Sequence, residues 1–147
     1  MQPTETTDAV AKFCAAARNN DVNGMLAALA SDAELVSPLV GRMVFRGRDD
    51  LRMLLGAVFG SLRGLHWREF IGDGQTRVAV SEARIGGVAI TDAMVVELDD
   101  AGRIRRLRPH LRPWLGLTLF ALRLGPKLGR HPRVIGRALQ AHHTSPD

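Results

Sequence analysis

Asp92, Glu82, Arg84, His110 and Ser37 are the side chains in this 147-residue chain whose types and spacing could do chemistry. Side chains alternate along a strand, so Asp92 shares a face with Ile90 and Met94. If that face looks into a core, Asp92 is a carboxyl among apolar groups. Its pKa then rises into the range useful for a general acid or base. If the face looks outward, Asp92 is a solvated strand charge. Glu82 and Arg84 lie two apart on the face of Val78 and Val80, as a cross-strand salt-bridge element or as groups that orient a substrate. His110 has the parity of Arg106, Arg108 and Arg112, a solvated basic face. Ile104 and Leu107 cannot both face a core in a regular strand, so an irregularity near Arg105-Arg106 is expected, and a bulge there would turn His110 inward. Trp67 reads as core or pocket wall, Met94 as packing beside Asp92, and Ser37 as a polar residue at a Pro38 bulge.

The elements that must position these groups are strands in series. Residues 76–85 and 88–98 alternate as two strands around Gly86-Gly87, a pair able to take the positive φ angles of a tight hairpin. Asp99-Asp100-Ala101-Gly102 makes a second turn, and residues 103–112 form a third strand, stopped by Pro113. Such a meander needs one apolar face covered. Upstream, Thr6 or Thr7 can cap a helix carrying Val10, Phe13, Cys14 and Ala17 at helical spacing. Residues 21–30 read as a short second helix with Met25, Leu26 and Leu29 inward. Residues 33–40 read as a strand interrupted by Pro38. A short strand over 43–45 follows. Gly47 opens a third helix, with Asp49 and Asp50 in its first turn and Leu51, Leu54, Leu55, Val58, Phe59 and Leu62 as its buried stripe. Residues 65–71 are a further strand. Two helices, a broken strand, a helix and then antiparallel strands form an α+β order without βαβ alternation.

Composition narrows the class. Hydrophobic residues make up 46%, which excludes disorder, and no apolar run reaches the roughly 18 to 20 residues of a membrane span. The polar N-terminus lacks the pattern of a secretory leader. Cys14 is the single cysteine, so no internal disulfide is possible, and no Cys/His set has zinc spacing. A cytoplasmic location is expected. The net charge of +5 is uneven: residues 1–102 carry ten Lys/Arg and fourteen Asp/Glu, whereas residues 103–147 carry ten Lys/Arg and only Asp147. A basic tail on a mildly acidic body suits anionic surfaces.

Three stretches, L-A-S-D-A-E-L-V-S-P at 29–38, F-R-G-R-D-D-L at 45–51 and E-L-D-D-A-G-R-I-R-R-L-R-P at 97–109, resemble the SnoaL-like branch of the nuclear-transport-factor-2-like superfamily. The resemblance implies a cone: a curved antiparallel or mixed sheet wrapped around N-terminal helices, with a pocket at the open end. It also implies cofactor-free isomerisation, cyclisation, dehydration or epoxide hydrolysis, or a non-catalytic binding or dimerisation role, because fold alone does not fix function. Ketosteroid isomerase, a relative, uses an Asp before a Pro, a Tyr and a protonated Asp; those positions carry Ser37 and Met94 here, and the chain has no Tyr. The Arg/Asp pair of limonene epoxide hydrolase corresponds to Glu82 and Arg84 in reversed order, and its second Asp to Pro109. The His and Asp of polyketide cyclases find their nearest equivalents in His110 and Asp92.

The expectation is therefore a cone domain over residues 1–113 and a helical tail over 114–147. In the tail, residues 114–124 are apolar on almost every helical face, Gly125-Pro126 breaks the helix, and residues 127–141 are basic. A helix apolar all round must be buried, as a lid over the cone, in a homodimer interface or at a membrane surface. Nucleic acid is not expected, since the tail has no groove-reading motif. The pocket is expected to take a small hydrophobic molecule, with Asp92 as acid or base, His110 assisting, and Glu82, Arg84, Ser37, Met94 and Trp67 contacting substrate.

Overall fold

Gly86 and Gly87 take φ angles of 55° and 82° and close the hairpin between β4 (Thr76–Ile85) and β5 (Val88–Leu98), the longest pairing in the molecule. The computed structural model describes residues 8–140. Around the hairpin the open, curved sheet runs β2-β1-β6-β5-β4-β3, comprising β1 (Leu29–Val36), β2 (Val44–Arg46), β3 (Arg63–Ile71) and β6 (Ile104–Arg108), with β7 (Leu111–Arg112) also on β5. Among the described residues only β1 and β6 pair in parallel, so the sheet is mixed.

Three helices precede β3: α1 (Ala9–Arg18), α2 (Val22–Ala27) and α3 (Arg48–Gly60). The cap of α1 is Asp8, whose carboxylate accepts from the Val10 N–H at 3.1 Å; the expected caps Thr6 and Thr7 lie outside the described residues. Both Asp8 carboxylate oxygens also accept from Arg77 Nη1, at 2.8 and 2.7 Å, which ties α1 to β4. The second helix ends at Ala27, and Leu29 and Ala30 belong to β1 rather than to a helix. Long-range pairing overrides the local helical pattern there: Leu29 lies beside Ile104, and the Ile104 N–H reaches the Ala28 carbonyl at 3.1 Å. The strand stops at Val36, so Pro38 stands in the turn beyond it and interrupts nothing.

The expected irregularity in the last strand is present. Leu98 pairs with Ile104 but Glu97 with Arg106, so Arg105 is the extra residue of a bulge. That single insertion puts both Ile104 and Leu107 in the core, at 0% and 1% exposure. The third strand is not continuous to Arg112, because Pro109 and His110 separate β6 from β7.

Phe13, Met25, Leu54 and Leu55 from the helices meet Val96, Ile104 and Leu107 from the inner face of the sheet. On the outer face, Glu34 accepts from Arg46 at 2.7 Å and from Arg106 at 2.6 Å. The tail folds back onto the cone as α4 (Trp114–Gly129) and α5 (Pro132–Gln140). Gly125-Pro126 does not break α4. Pro126 removes one backbone donor in the final turn, and the helix ends three residues later, so the loss stays local. Val134 and Ala138 bury α5 against the main core, and Arg137 donates two bonds to Asp50 of α3 at 2.6 and 2.9 Å. No helix among the described residues is long and apolar enough to cross a membrane.

Candidate active site

β4 and β5 turn alternate side chains inward, and with two turn residues their register leaves no freedom: Ile85 faces Val88, so Ser81 faces Asp92 and Ala79 faces Met94. Ser81, Ala83, Asp92 and Met94 thereby line one wall of a cavity of about 180 Å³. Val58, Phe59 and Leu62 from α3 and its end line another wall, and Phe120, Leu124 and Leu128 from α4 a third. The rim carries the Ser37–Val40 turn on one side and Pro109 with Leu111 on the other.

Among the described residues this lining has no Lys, Arg or His, and Asp92 is its one ionisable side chain. It is partly buried, and burial pushes its carboxyl from an ordinary 3.8 up to about 7. The backbone bond from His110 and charge on that residue's ring keep it from rising further. The bond comes from the main chain: the His110 N–H donates to Asp92 Oδ1 at 2.9 Å. The backbone amide and carbonyl of Ala93 meet the same residue, with the Ala93 N–H on the His110 carbonyl at 3.0 Å and the His110 ring Nδ1 at 3.2 Å from the Ala93 carbonyl. Asp92 is thus held by the interruption between β6 and β7.

The bulge does not turn His110 inward; its ring is exposed and folded onto the outside of β5, away from the cavity. Glu82 and Arg84 also stand on the outer face. Glu82 pairs with Arg68 at 2.9 Å, and Arg84 donates to the Gly87 carbonyl at 3.2 Å. Neither lines the cavity, as strand parity requires once Ser81, Ala83 and Ile85 are inside. Trp67 is packed against the main core and donates its Nε1–H to the Cys14 carbonyl at 2.9 Å, a structural bond between β3 and α1. Of the seven residues singled out, Asp92, Met94 and Ser37 come together at the cavity. Ser37 Oγ accepts from the N–H groups of Leu39 and Val40 at 3.1 and 3.2 Å, which leaves its hydroxyl proton as the donor it can offer.

Ser81, buried at 4% exposure, is the polar group that sequence reasoning passed over. Its signal was available: it has the parity of Ala79, Ala83 and Ile85, and counting back from the Gly-Gly turn sets it opposite Asp92. Arg130, Arg133 and Arg137 of the tail border, with His131, a separate concavity at the turn between α4 and α5.

A mixed curved sheet wrapped on N-terminal helices, with an apolar pocket inside, defines an NTF2-like cone. The family model for the SnoaL-like domain matches residues 10–107, and the chain belongs to that family. No curated protein matches the sequence. Among solved structures, the fold is similar to that of an uncharacterized bacterial protein of cystatin-like fold from Silicibacter pomeroyi DSS-3, at 18% identity and a TM-score of 0.83, covering 92% of this chain and 96% of that one. It is also similar to a steroid delta-isomerase from Pseudomonas aeruginosa, at 22% identity and a TM-score of 0.77, covering 89% and 96%. An epoxide hydrolase/cyclase-like enzyme of pyran-ring formation in the polyether salinomycin is similar at 18% identity and a TM-score of 0.60, covering 76% and 95%. At these identities the likeness is one of fold.

Proposed function

We propose that the chain binds a small hydrophobic molecule in the cavity and that Asp92 moves a proton on it. The observation that carries this reading is Asp92 itself, the one ionisable side chain among the described residues of an apolar lining, held by the His110 N–H. A carboxyl that titrates near 7 is suited to accept and return a proton under neutral conditions. Proton transfer at a carbon next to a carbonyl fits the group set. The carboxylate takes the proton as the C–H bond breaks, the electron pair moves onto the carbonyl oxygen, and the hydroxyls of Ser37 and Ser81 are the donors for that oxygen.

The test follows deuterium entering the α-carbons of cyclohexanone in D2O by NMR. The wild-type protein should accelerate exchange, and Asp92→Asn should remove about 10²- to 10⁴-fold of that acceleration, the usual worth of a positioned base. A second reading, a binding module without catalysis, draws on the spent acceptor side of Ser37 and the apolar Met94 at positions where an isomerase relative carries acids. Saturable binding with no acceleration of exchange would establish that second reading over the first.

A further inference from the structure

Resting on that pocket reading, we propose that the ligand is a neutral molecule about one ring in size, and that α4 is the wall that sets this limit. Size comes first. An engineered apolar cavity of about 150 Å³ is filled by one benzene, whereas pockets for larger ligands run from about 300 Å³ upward. A volume of about 180 Å³ lies close to the one-ring cavity and below the pockets of larger ligands.

Charge comes second. No cation among the described residues lines the cavity, and Arg130, Arg133 and Arg137 of the tail border a different concavity. An anionic ligand would lose its water without gaining a cationic partner, and would do so beside Asp92. A single ligand oxygen can be met by Ser37, Ser81 or Asp92, and every other lining side chain is apolar.

The position of α4 is set by its own contacts. The helix lies beyond residues 10–107 that the family model covers, yet it supplies Phe120 and Leu124, buried at 3% and 4% exposure, as the far wall. Near its start Gly116 packs so closely on β5 that an added Cβ would collide with Ile90 Cγ2. Near its end Lys127 donates to Ser61 Oγ at 2.7 Å, and α5 is clamped by Arg137 on Asp50. Fastened at both ends, α4 is a fixed wall.

The experiment titrates the full-length protein with cyclohexanone, 2-decalone, a 3-oxo four-ring steroid and cyclohexanecarboxylate, reading methyl shifts of Ala83 and Ile90 by NMR. Cyclohexanone should bind saturably. The steroid and, at pH 8, the carboxylate should each bind at least about tenfold more weakly, a difference of about 1.4 kcal/mol. Phe120→Ala, with the milder Phe120→Leu as a second variant against misfolding, should shift the preference toward 2-decalone. Equal or tighter binding of the steroid or the carboxylate by wild type overturns the proposal and leaves the pocket intact. An unchanged order in folded Phe120 variants overturns the role of α4. If no probe moves the pocket methyls, the pocket reading falls and the proposal with it.

Discussion

Asp92 and His110 are joined through the backbone and not through the imidazole: the His110 N–H donates to Asp92 Oδ1 at 2.9 Å while the ring turns outward to the Ala93 carbonyl. Side-chain replacement at position 110 therefore leaves the donor in place. His110→Ala should keep most of any proton-transfer activity, whereas Asp92→Asn should lose it. Deuterium exchange into cyclohexanone on both variants is the check, and equal loss in the two would show that the ring takes part.

Asp92 also carries a stability cost with a definite sign. Its folded pKa of about 7 lies above the ordinary 3.8. Below pH 3.8 the group is protonated in both states. Between 3.8 and 7 the unfolded chain gives up its proton first, so stability falls as pH rises, and above 7 the full cost is present. At about 1.4 kcal/mol per pH unit the ceiling is about 4 kcal/mol. Asp92 is partly solvated, so about 2 kcal/mol is the expected effect. Asp92→Asn should accordingly be more stable than wild type by about that amount at pH 8, with the gain shrinking toward zero at pH 3.5. Urea unfolding at the two pH values measures it, and a gain that grows on acidification contradicts the assignment.

Glu34 has the opposite sign. Burial alone would raise its pKa, but hydrogen bonds and charge from Arg46 and Arg106 outweigh burial and hold it below 4.5. Its stabilisation is present above pH 4.5 and is lost as pH falls through the lowered value. Glu34→Gln should cost about 1.5–3 kcal/mol at pH 7, the worth of hydrogen bonds to a charged group, and less in acid. Denaturant midpoints for both proteins at pH 7 and pH 3 test this.

Gly116 is a packing requirement. A methyl group there must displace Ile90, a stiff side chain buried at 3% exposure, or lift α4 from the sheet. Gly116→Ala should destabilise the fold by about 1–3 kcal/mol, as overpacked cores do, despite the better helix propensity of Ala. A thermal melt decides it; an unchanged or raised Tm would mean that α4 can move away freely.

Arg137 fastens the last helix to a carboxylate, Asp50, that is buried at the start of α3. Arg137→Ala should leave the cone folded but lower hydrogen-exchange protection in α5, with little change in β4 and β5. Uniform loss across the chain would instead make α5 part of the global folding unit.

Much of the frame was legible in the sequence because its causes are local. Two glycines in a row set the β4–β5 hairpin, the Asp99–Gly102 turn set the next, and the spacing of Leu51, Leu54 and Leu55 set α3. Even the bulge at Arg105 followed from the demand that Ile104 and Leu107 share a core. The same counting that placed Asp92 with Met94 would also have set Ser81 opposite Asp92, a step the sequence reading did not take. Tertiary structure decided what local pattern leaves open. Leu29 reads as helical by spacing but joins a strand because β6 supplies a partner 75 residues on, Ile104. Which face of β4 and β5 is inside depends on where α1 and α3 lie, so the outward places of Glu82, Arg84 and the His110 ring appear only in the folded molecule. The tail is the clearest case: eleven nearly unbroken apolar residues state that they must be buried, but only the open end of the cone, with Gly116 on Ile90, determines where.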